Sequence, residues 1–401
     1  MEPLCKPPVP IENNISMGNR ISGKYPKPFR SQGVSQIKAL ILAGGFGTRL
    51  RPLSCSRPKL LFSIAGRSII EWILHQLSRN GVEEAILATN YLADMIRTHL
   101  GRRCEGISIH YSFEEKPLGT AGAVKRAERL LRDDENFLVL NGDIISSPPV
   151  KRMLQKNSST NAIATIMLHK VEDPTHFGVA DIDRSLRIKK FVEKPRLKDA
   201  PSNWINAGVY VLSRQIFDYI TPGRKTSIER EVFPVLASSG RLYGYKYAGE
   251  WFDIGRFEEY TRANTAILSR LSGKKPIVAP GAEVGSGARL IPPLIVGSKS
   301  VVRENATLGP NTSVGGSVVI GEDSRISNSI LFDKAHLGRK SIITGSIVGE
   351  GVVVGDNVKI GEGCVIGDHV LLHDNITLRR NVTVCPHKEV SRSVTRSGFV
   401  S

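Results

Sequence analysis

The sequence predicts an α/β domain on a largely parallel sheet, followed by a parallel β-helix. Between Ile37 and Ser272, short apolar runs alternate with amphipathic helical stretches, the pattern of βα units covered on both faces. From Val278 to Val384, apolar residues recur every six positions, the period of short strands stacked in a coil. A length of 401 residues also exceeds what one core usually supports, so two domains are expected.

Residues 1–36 are rich in Pro, Asn, Ser, Lys and Arg and too poor in apolar residues to bury a core. They read as a disordered extension, with Met17 a candidate alternative start. The run Ile37 to Ala43 is a strand that feeds Gly44-Gly45-Phe46-Gly47-Thr48-Arg49-Leu50, with the cations of Arg57-Pro58-Lys59 downstream. Such a loop is either a tight strand-to-helix turn or an anion cradle, because glycines let bare amides approach phosphate oxygens. It is neither a Walker loop, which needs Gly-Lys-Ser/Thr, nor a dinucleotide fingerprint, which needs glycine where Leu50 stands.

Ser68-Ile69-Ile70-Glu71 has the form of a capping box, and Ile70, Ile73, Leu74 and Leu77 give the helix one apolar face until Asn80-Gly81 stops it. Ala85-Ile86-Leu87-Ala88 and Phe137-Leu138-Val139-Leu140 are short buried strands. Thr120 to Leu131 and Arg256 to Leu271 are further helices. The pattern changes at Ser272-Gly273-Lys274-Lys275-Pro276. The apolar hexad positions then run Val278, Val284, Leu290 through Phe332, slip by one to Leu337 and Ile343, and slip again before Val348. Three hexads per turn give about six coils. The expected organisation is an α/β domain over 37–272, a β-helix over 276–386 and a tail over 387–401.

A formal net charge of +17 fits a solvated basic surface or small anionic substrates. Aromatic residues are only 6% and do not interleave with the cations, so nucleic acid is not expected as a partner. No apolar run reaches the roughly 18 residues that span a bilayer, and no secretory h-region is present, so no membrane is expected. Five scattered cysteines without CxxC spacing read as free thiols of a cytoplasmic protein.

The glycine string strongly resembles the phosphate loop of the sugar-nucleotide pyrophosphorylases, the sugar-1-phosphate nucleotidyltransferases. The resemblance extends from Ile37 to about Val390. It implies a Rossmann-like mixed-sheet nucleotidyltransferase domain followed by the left-handed β-helix of hexapeptide-repeat proteins, and Mg2+ as cofactor. A sugar 1-phosphate oxygen would attack the α-phosphorus of a nucleoside triphosphate and expel pyrophosphate. That nucleophile is already ionised at neutral pH, so cations and positioning carry the chemistry. The resemblance places Leu42, Ala43, Gly44, Gly45 and Gly47 at the nucleotide, with Arg49 and Lys59 as cations at the triphosphate. It makes Asp143, of Asn141-Gly142-Asp143, and Asp253, of Trp251-Phe252-Asp253, the metal ligands. Hard carboxylates suit magnesium.

Glu193 and Lys194 of Phe191-Val192-Glu193-Lys194-Pro195 correspond to groups that meet sugar hydroxyls and sugar phosphate. Gly178 and Asn206 lie in two further sugar-pocket segments, and Glu114-Glu115 to Gly119 in the base-recognition loop. A carboxylate accepts from both guanine N1–H and the N2 amine, so Glu114-Glu115 leans toward GTP, although an exposed acidic pair reads the same way. Thr226 to Pro234 and Pro386-His387-Lys388 look like the branch that uses GTP and mannose 1-phosphate. Leu60 departs from the proline usual after the lysine. Three other functions compete. One is a UTP- or dTTP-dependent enzyme. A second is a bifunctional uridylyltransferase whose β-helix transfers acetyl groups through His336, His369 or His373. The third is a non-catalytic regulatory or exchange-factor-like subunit. The β-helix is expected to join subunits into a homo-oligomer.

Overall fold

The computed structural model describes residues 37–90 and 92–400; the extension expected over 1–36 lies outside the described residues. The chain forms two compact units that exchange segments: 37–46 with 69–253, and 47–68 with 254–400.

The first unit is built on a ten-stranded mixed sheet. Ile37–Leu42 lies between Val82–Thr89 and Asn136–Asn141 and runs parallel to both, and Ile107–Phe113 extends this half in the same direction. These strands are the buried apolar runs expected of a parallel sheet; Ala39, Leu40 and Ile41 are fully buried. The other half departs from the parallel expectation. Trp204–Ser213 runs antiparallel to Asn136–Asn141 and to Ala164–Lys170, and Gly178–Ile182 forms a hairpin with Ile188–Glu193. The hairpin needs no crossover helix, because Asp183 Oδ1 closes the turn by accepting from the Ser185 and Arg187 N–H groups.

The helix Ile69–Arg79 buries Ile69, Ile70, Ile73, Leu74 and Leu77. It ends as expected: Asn80 N–H donates to Gln76 and Leu77 carbonyls, and Gly81 takes φ +82°. The helix expected from Thr120 to Leu131 is two pieces, Gly119–Arg126 and Glu128–Leu131, parted at Ala127.

The second unit contains the β-helix, three parallel sheets of eight, seven and six strands. Val278, Val296 and Val314 stack in register, followed by Leu331, Val348, Ile366 and Val384. The two slips in the hexad pattern are the two turns, Val314 to Leu331 and Leu331 to Val348, that are one residue shorter. The first falls before Leu331, which takes the stacked place expected of Phe332, whose ring instead meets Phe62 and Arg57. Eight strands in the longest sheet make seven turns, one more than the hexads imply. The extra turn comes from the residues taken as a tail: Glu389–Val390 pairs with Leu371–Leu372, and Gly398–Val400 with Val382–Val384.

The helix Phe257–Ser272, expected to close the α/β domain, packs within this second unit. Asn264 Oδ1 accepts from Ala65 N and from Ser313 Oγ, both at 2.9 Å, and Ser272 Oγ accepts from Leu294 N. Tyr260 donates its hydroxyl proton to Ser63 O. A linear cut near residue 272 therefore misses how 47–68 and this helix join the coil.

Candidate active site

The glycine loop leaves the carboxyl end of a central strand, where ligands of open α/β sheets bind. Its root is fixed by two backbone bonds: Ala43 N donates to Ala88 O at 2.8 Å, and Gly142 N to Leu42 O at 3.0 Å. Gly44 is close to the base-loop segment, since a β-carbon placed on it would lie 3.9 Å from Glu114 Oε1. Gly45 opens onto empty space, and Phe46 is half exposed.

The acidic pair divides. Glu115 is exposed, whereas Glu114 is buried and accepts from Leu118 N at 2.9 Å through Oε2. Burial pushes the Glu114 carboxyl above its usual range, against the pull of the Leu118 N–H and Arg126. Gly119 has φ +74° and its hydrogen faces Thr226 O, which a β-carbon would approach to 2.6 Å. Thr226 O in turn accepts from Ala121 N and Gly122 N. The glycine is thus required by the Thr226 backbone as well as by any base. Thr120 Oγ1 donates to Glu229 Oε2 at 2.6 Å, which ties the same helix start to the π-turn Ile228–Val232.

Asp143 occupies the turn between Asn136–Asn141 and Ile144–Ser146. Asp253 ends the strand Trp251–Asp253 and stands opposite Ile144, the neighbour of Asp143. The structure therefore brings the two aspartates to one end of a short antiparallel ribbon. Trp251 holds that ribbon: its Nε1 donates to Ala207 O at 2.9 Å, and its ring stacks on His169 and meets Phe177 edge-on. Among the described residues, no group of three or more His, Cys, Asp or Glu could hold a metal. Two neighbouring carboxylates fit Mg2+, which keeps water and phosphate oxygens in most positions. Beside them, Asn141 Oδ1 is buried without a hydrogen-bond partner.

The sugar-segment residues converge on adjacent strands. Gly178 pairs with Glu193, and Val179 with Ile205, next to Asn206. Asn206 Nδ2 donates to the buried Tyr210 hydroxyl at 2.9 Å, and its Oδ1 accepts from Gly208 N. Gly208 takes φ +73°, and a β-carbon there would come within 2.8 Å of Asn141 Nδ2. Burial, with Glu229 nearby, raises the Glu193 carboxyl; Lys194 Nζ, 3.7 Å away, opposes this. Lys194 itself is exposed, with φ +50°, and its N–H donates to Phe177 O.

Gly47, Arg49 and Lys59 belong to the second unit. Gly47 is left-handed at φ +59°, and its carbonyl accepts from Ser54 Oγ at 2.7 Å. Arg49 is exposed in the 3-10 turn Thr48–Leu50, and Lys59 opens another, Lys59–Leu61. Of the two downstream cations, Arg57 is committed elsewhere, to Glu350 and Asp368. Sequence reasoning did not single out Tyr210, the Trp251 anchor or this ion-pair cluster. A tyrosine four residues after Asn206 was the only sequence signal for the first.

A mixed sheet with a glycine loop at a central strand end and two aspartates on the adjoining ribbon defines a nucleotidyltransferase. Comparison with known proteins agrees: residues 38–270 match the nucleotidyl transferase family and residues 290–400 the GMPPB C-terminal domain, and the chain belongs to the nucleotidyl transferase family. It is 36% identical over 316 residues to mannose-1-phosphate guanylyltransferase catalytic subunit beta of Dictyostelium discoideum, covering 78% of this chain and 86% of that protein. It is 37% identical over 319 residues to mannose-1-phosphate guanylyltransferase 1 of Arabidopsis thaliana, with the same coverage of 78% and 86%. HddC from Yersinia pseudotuberculosis, solved in complex with GMP-PN, is 30% identical with a TM-score of 0.50, covering 58% of this chain and 100% of that one.

Proposed function

We propose that the chain transfers GMP from GTP to mannose 1-phosphate, giving GDP-mannose and pyrophosphate. The relatives carry that activity in their names, and one similar structure holds a guanine nucleotide. The observation that carries the reading is the meeting of loop and carboxylates: Gly142 N donates to Leu42 O, placing the Asp143 turn at the root of the glycine loop. Asp253 faces the same turn.

In the reaction, a phosphate oxygen of the sugar 1-phosphate forms a bond to the α-phosphorus. The bond from that phosphorus to the β-phosphate's bridging oxygen breaks, and pyrophosphate leaves with the electron pair. Asp143 and Asp253 would hold Mg2+, which supplies positive charge to the phosphate oxygens. Gly44 and Gly45 offer backbone amides without side-chain obstruction, and Glu114 Oε1 lies beside Gly44 to accept from the base. Glu193 and Asn206, on the two strands that flank Gly178–Ile182, receive sugar hydroxyls, and Lys194 the sugar phosphate. Arg49 and Lys59 neutralise the triphosphate.

The β-helix runs strand on strand from Ile277 to Val390, so it leaves no extruded loop for acetyl transfer. Exposed Val353 and Leu371, paired on adjacent coils, support its use as a surface joining subunits. No helix among the described residues is long and apolar enough to cross a membrane. The scattered cysteines without CxxC spacing, buried where described, support a cytoplasmic setting. The test is pyrophosphate release from a panel of nucleoside triphosphates against a panel of sugar 1-phosphates. GTP with mannose 1-phosphate should give the highest kcat/KM; preference for UTP or dTTP would overturn the base assignment.

A further inference from the structure

The chain that follows the glycine loop is tied down by the β-helix through charge. Arg57 Nε donates to Asp368 Oδ2 at 3.1 Å, and its Nη2 donates to Glu350 Oε2. Asp368 Oδ2 also accepts from Ser56 Oγ at 2.7 Å. The guanidinium lies over the Phe332 ring, 4.9 Å from its centroid, and Phe62 packs edge-on against the same ring. The Asp368 side chain is only 3% exposed and that of Arg57 12%, so these are not surface pairs.

The coil itself does not need this arrangement. At several corners an aspartate Oδ1 accepts a backbone N–H from the preceding turn, as Asp333 does from Gly316, Asp356 from Arg339 and Asp374 from Asp356. Asp368 Oδ1 performs the same task for Glu350 N. Its second oxygen is turned to residues 56 and 57, and Glu350 divides likewise, with Oε1 accepting from Lys334 of the coil and Oε2 from Arg57. Burial disfavours charge on Glu350, yet Arg57 and Lys334 hold its carboxyl below the usual range.

We propose that Glu350, Asp368 and Arg57 are positioning residues for the reaction: the β-helix fixes Ser56-Arg57-Pro58 and thereby sets where Lys59 stands. The inference rests on the role given to Lys59 above. It makes the β-helix part of the catalytic apparatus and not only an assembly surface.

The test compares the full-length wild type with Glu350→Gln/Asp368→Asn and with the triple variant Arg57→Met/Glu350→Gln/Asp368→Asn. The double variant leaves a buried guanidinium without counter-charge; the triple removes the guanidinium with both carboxylates and relieves that burden, leaving only the half-exposed Lys334 ammonium in solvent. Two readouts are taken: kcat with KM for the triphosphate, and amide hydrogen exchange across Leu53–Phe62. Positioning predicts faster exchange in that segment in both variants. It also predicts a kcat lowered about 10- to 100-fold, the scale of a small misplacement. The triple variant should recover its melting temperature but not its kcat. Recovery of wild-type kcat in the triple, or unchanged exchange in both, overturns the proposal. A wild type that releases no pyrophosphate sinks the reading of the reaction instead, while the exchange data still decide the positioning.

Discussion

Gly178 stands opposite Glu193 on adjacent antiparallel strands, and a β-carbon on the glycine would lie 2.9 Å from Glu193 Oε2. It would also press into the Phe191 ring. The absence of a side chain at 178 is therefore what leaves room for the Glu193 carboxylate and the Phe191 ring. Gly178→Ala should displace that carboxylate at a cost of about 1–3 kcal/mol in stability, the range for overpacking. KM for mannose 1-phosphate should rise more than KM for GTP. An equal change in both would separate Gly178 from the sugar pocket.

Asp143→Asn and Asp253→Asn should each lower kcat by about 100-fold or more, the scale for removing a group that stabilises developing charge. The two amides keep the shape of the ribbon Ile144–Ser146 with Trp251–Asp253, so melting temperatures should stay close to wild type. The measurement is pyrophosphate release across a magnesium titration. Near-wild-type turnover at saturating magnesium would remove that aspartate from the metal site.

Much of this was legible in sequence because local chemistry dictates it. The hexads located the coil and the presence of two short turns, since each strand must bury its apolar residue on the one before, but they took Phe332 for the stacked residue where Leu331 stands. The buried runs around Leu40, Leu87 and Val139 located the parallel half of the sheet. What stayed hidden depends on contacts between distant residues. Antiparallel pairing of Trp204–Ser213 with Asn136–Asn141 leaves no periodicity distinct from a buried parallel strand. Arg57 stood in the sequence only as a cation downstream of the glycine loop, because its partners, Glu350 and Asp368, lie 293 and 311 residues away in the chain. The last turn was missed because, after Val390, its apolar positions Val394 and Val400 fall outside the hexad register while still pairing with Leu378 and Val384.

Truncation after Ser272 should be far from neutral. It removes Phe332, on which Phe62 and Arg57 pack, and both carboxylates that answer the Arg57 charge. Removing even one, in Asp368→Ala, should cost about 3–5 kcal/mol, as for other broken buried pairs. Chemical denaturation would measure this, and a loss below about 1 kcal/mol, the scale of surface pairs, would show the cluster to be solvated. Sedimentation of the intact chain tests the assembly surface separately, and a monomer at all concentrations would dismiss it.

Base choice turns on Glu114, because Glu115 is exposed and Glu114 is the member beside Gly44. In Glu114→Gln the amide oxygen can keep the bond from Leu118 N, which leaves the NH2 group on the side that Oε1 now occupies. That donor would meet guanine N1–H or N2, a mismatch of roughly 1–3 kcal/mol, whereas a uracil or thymine carbonyl would accept from it. The ratio of kcat/KM for GTP over UTP should fall in Glu114→Gln and stay put in Glu115→Gln. Acidity supplies an independent check. Burial raises the Glu114 carboxyl, so it takes up its proton at a higher pH than an exposed carboxylate does. The protonated form donates, so KM for GTP should climb as pH falls from neutral into the window just above the ordinary carboxylate range. Because the folded chain holds that proton more tightly than the unfolded chain, ionised Glu114 costs the fold stability at neutral pH. Glu114→Gln should therefore be no less stable than wild type there, and its loss of GTP preference cannot be laid to unfolding. Its KM for GTP should also lose the acid dependence. If both glutamine variants keep the wild-type ratio and the wild-type pH profile, backbone groups around Leu118 and Gly119 read the base, and Glu114 serves only to hold that loop.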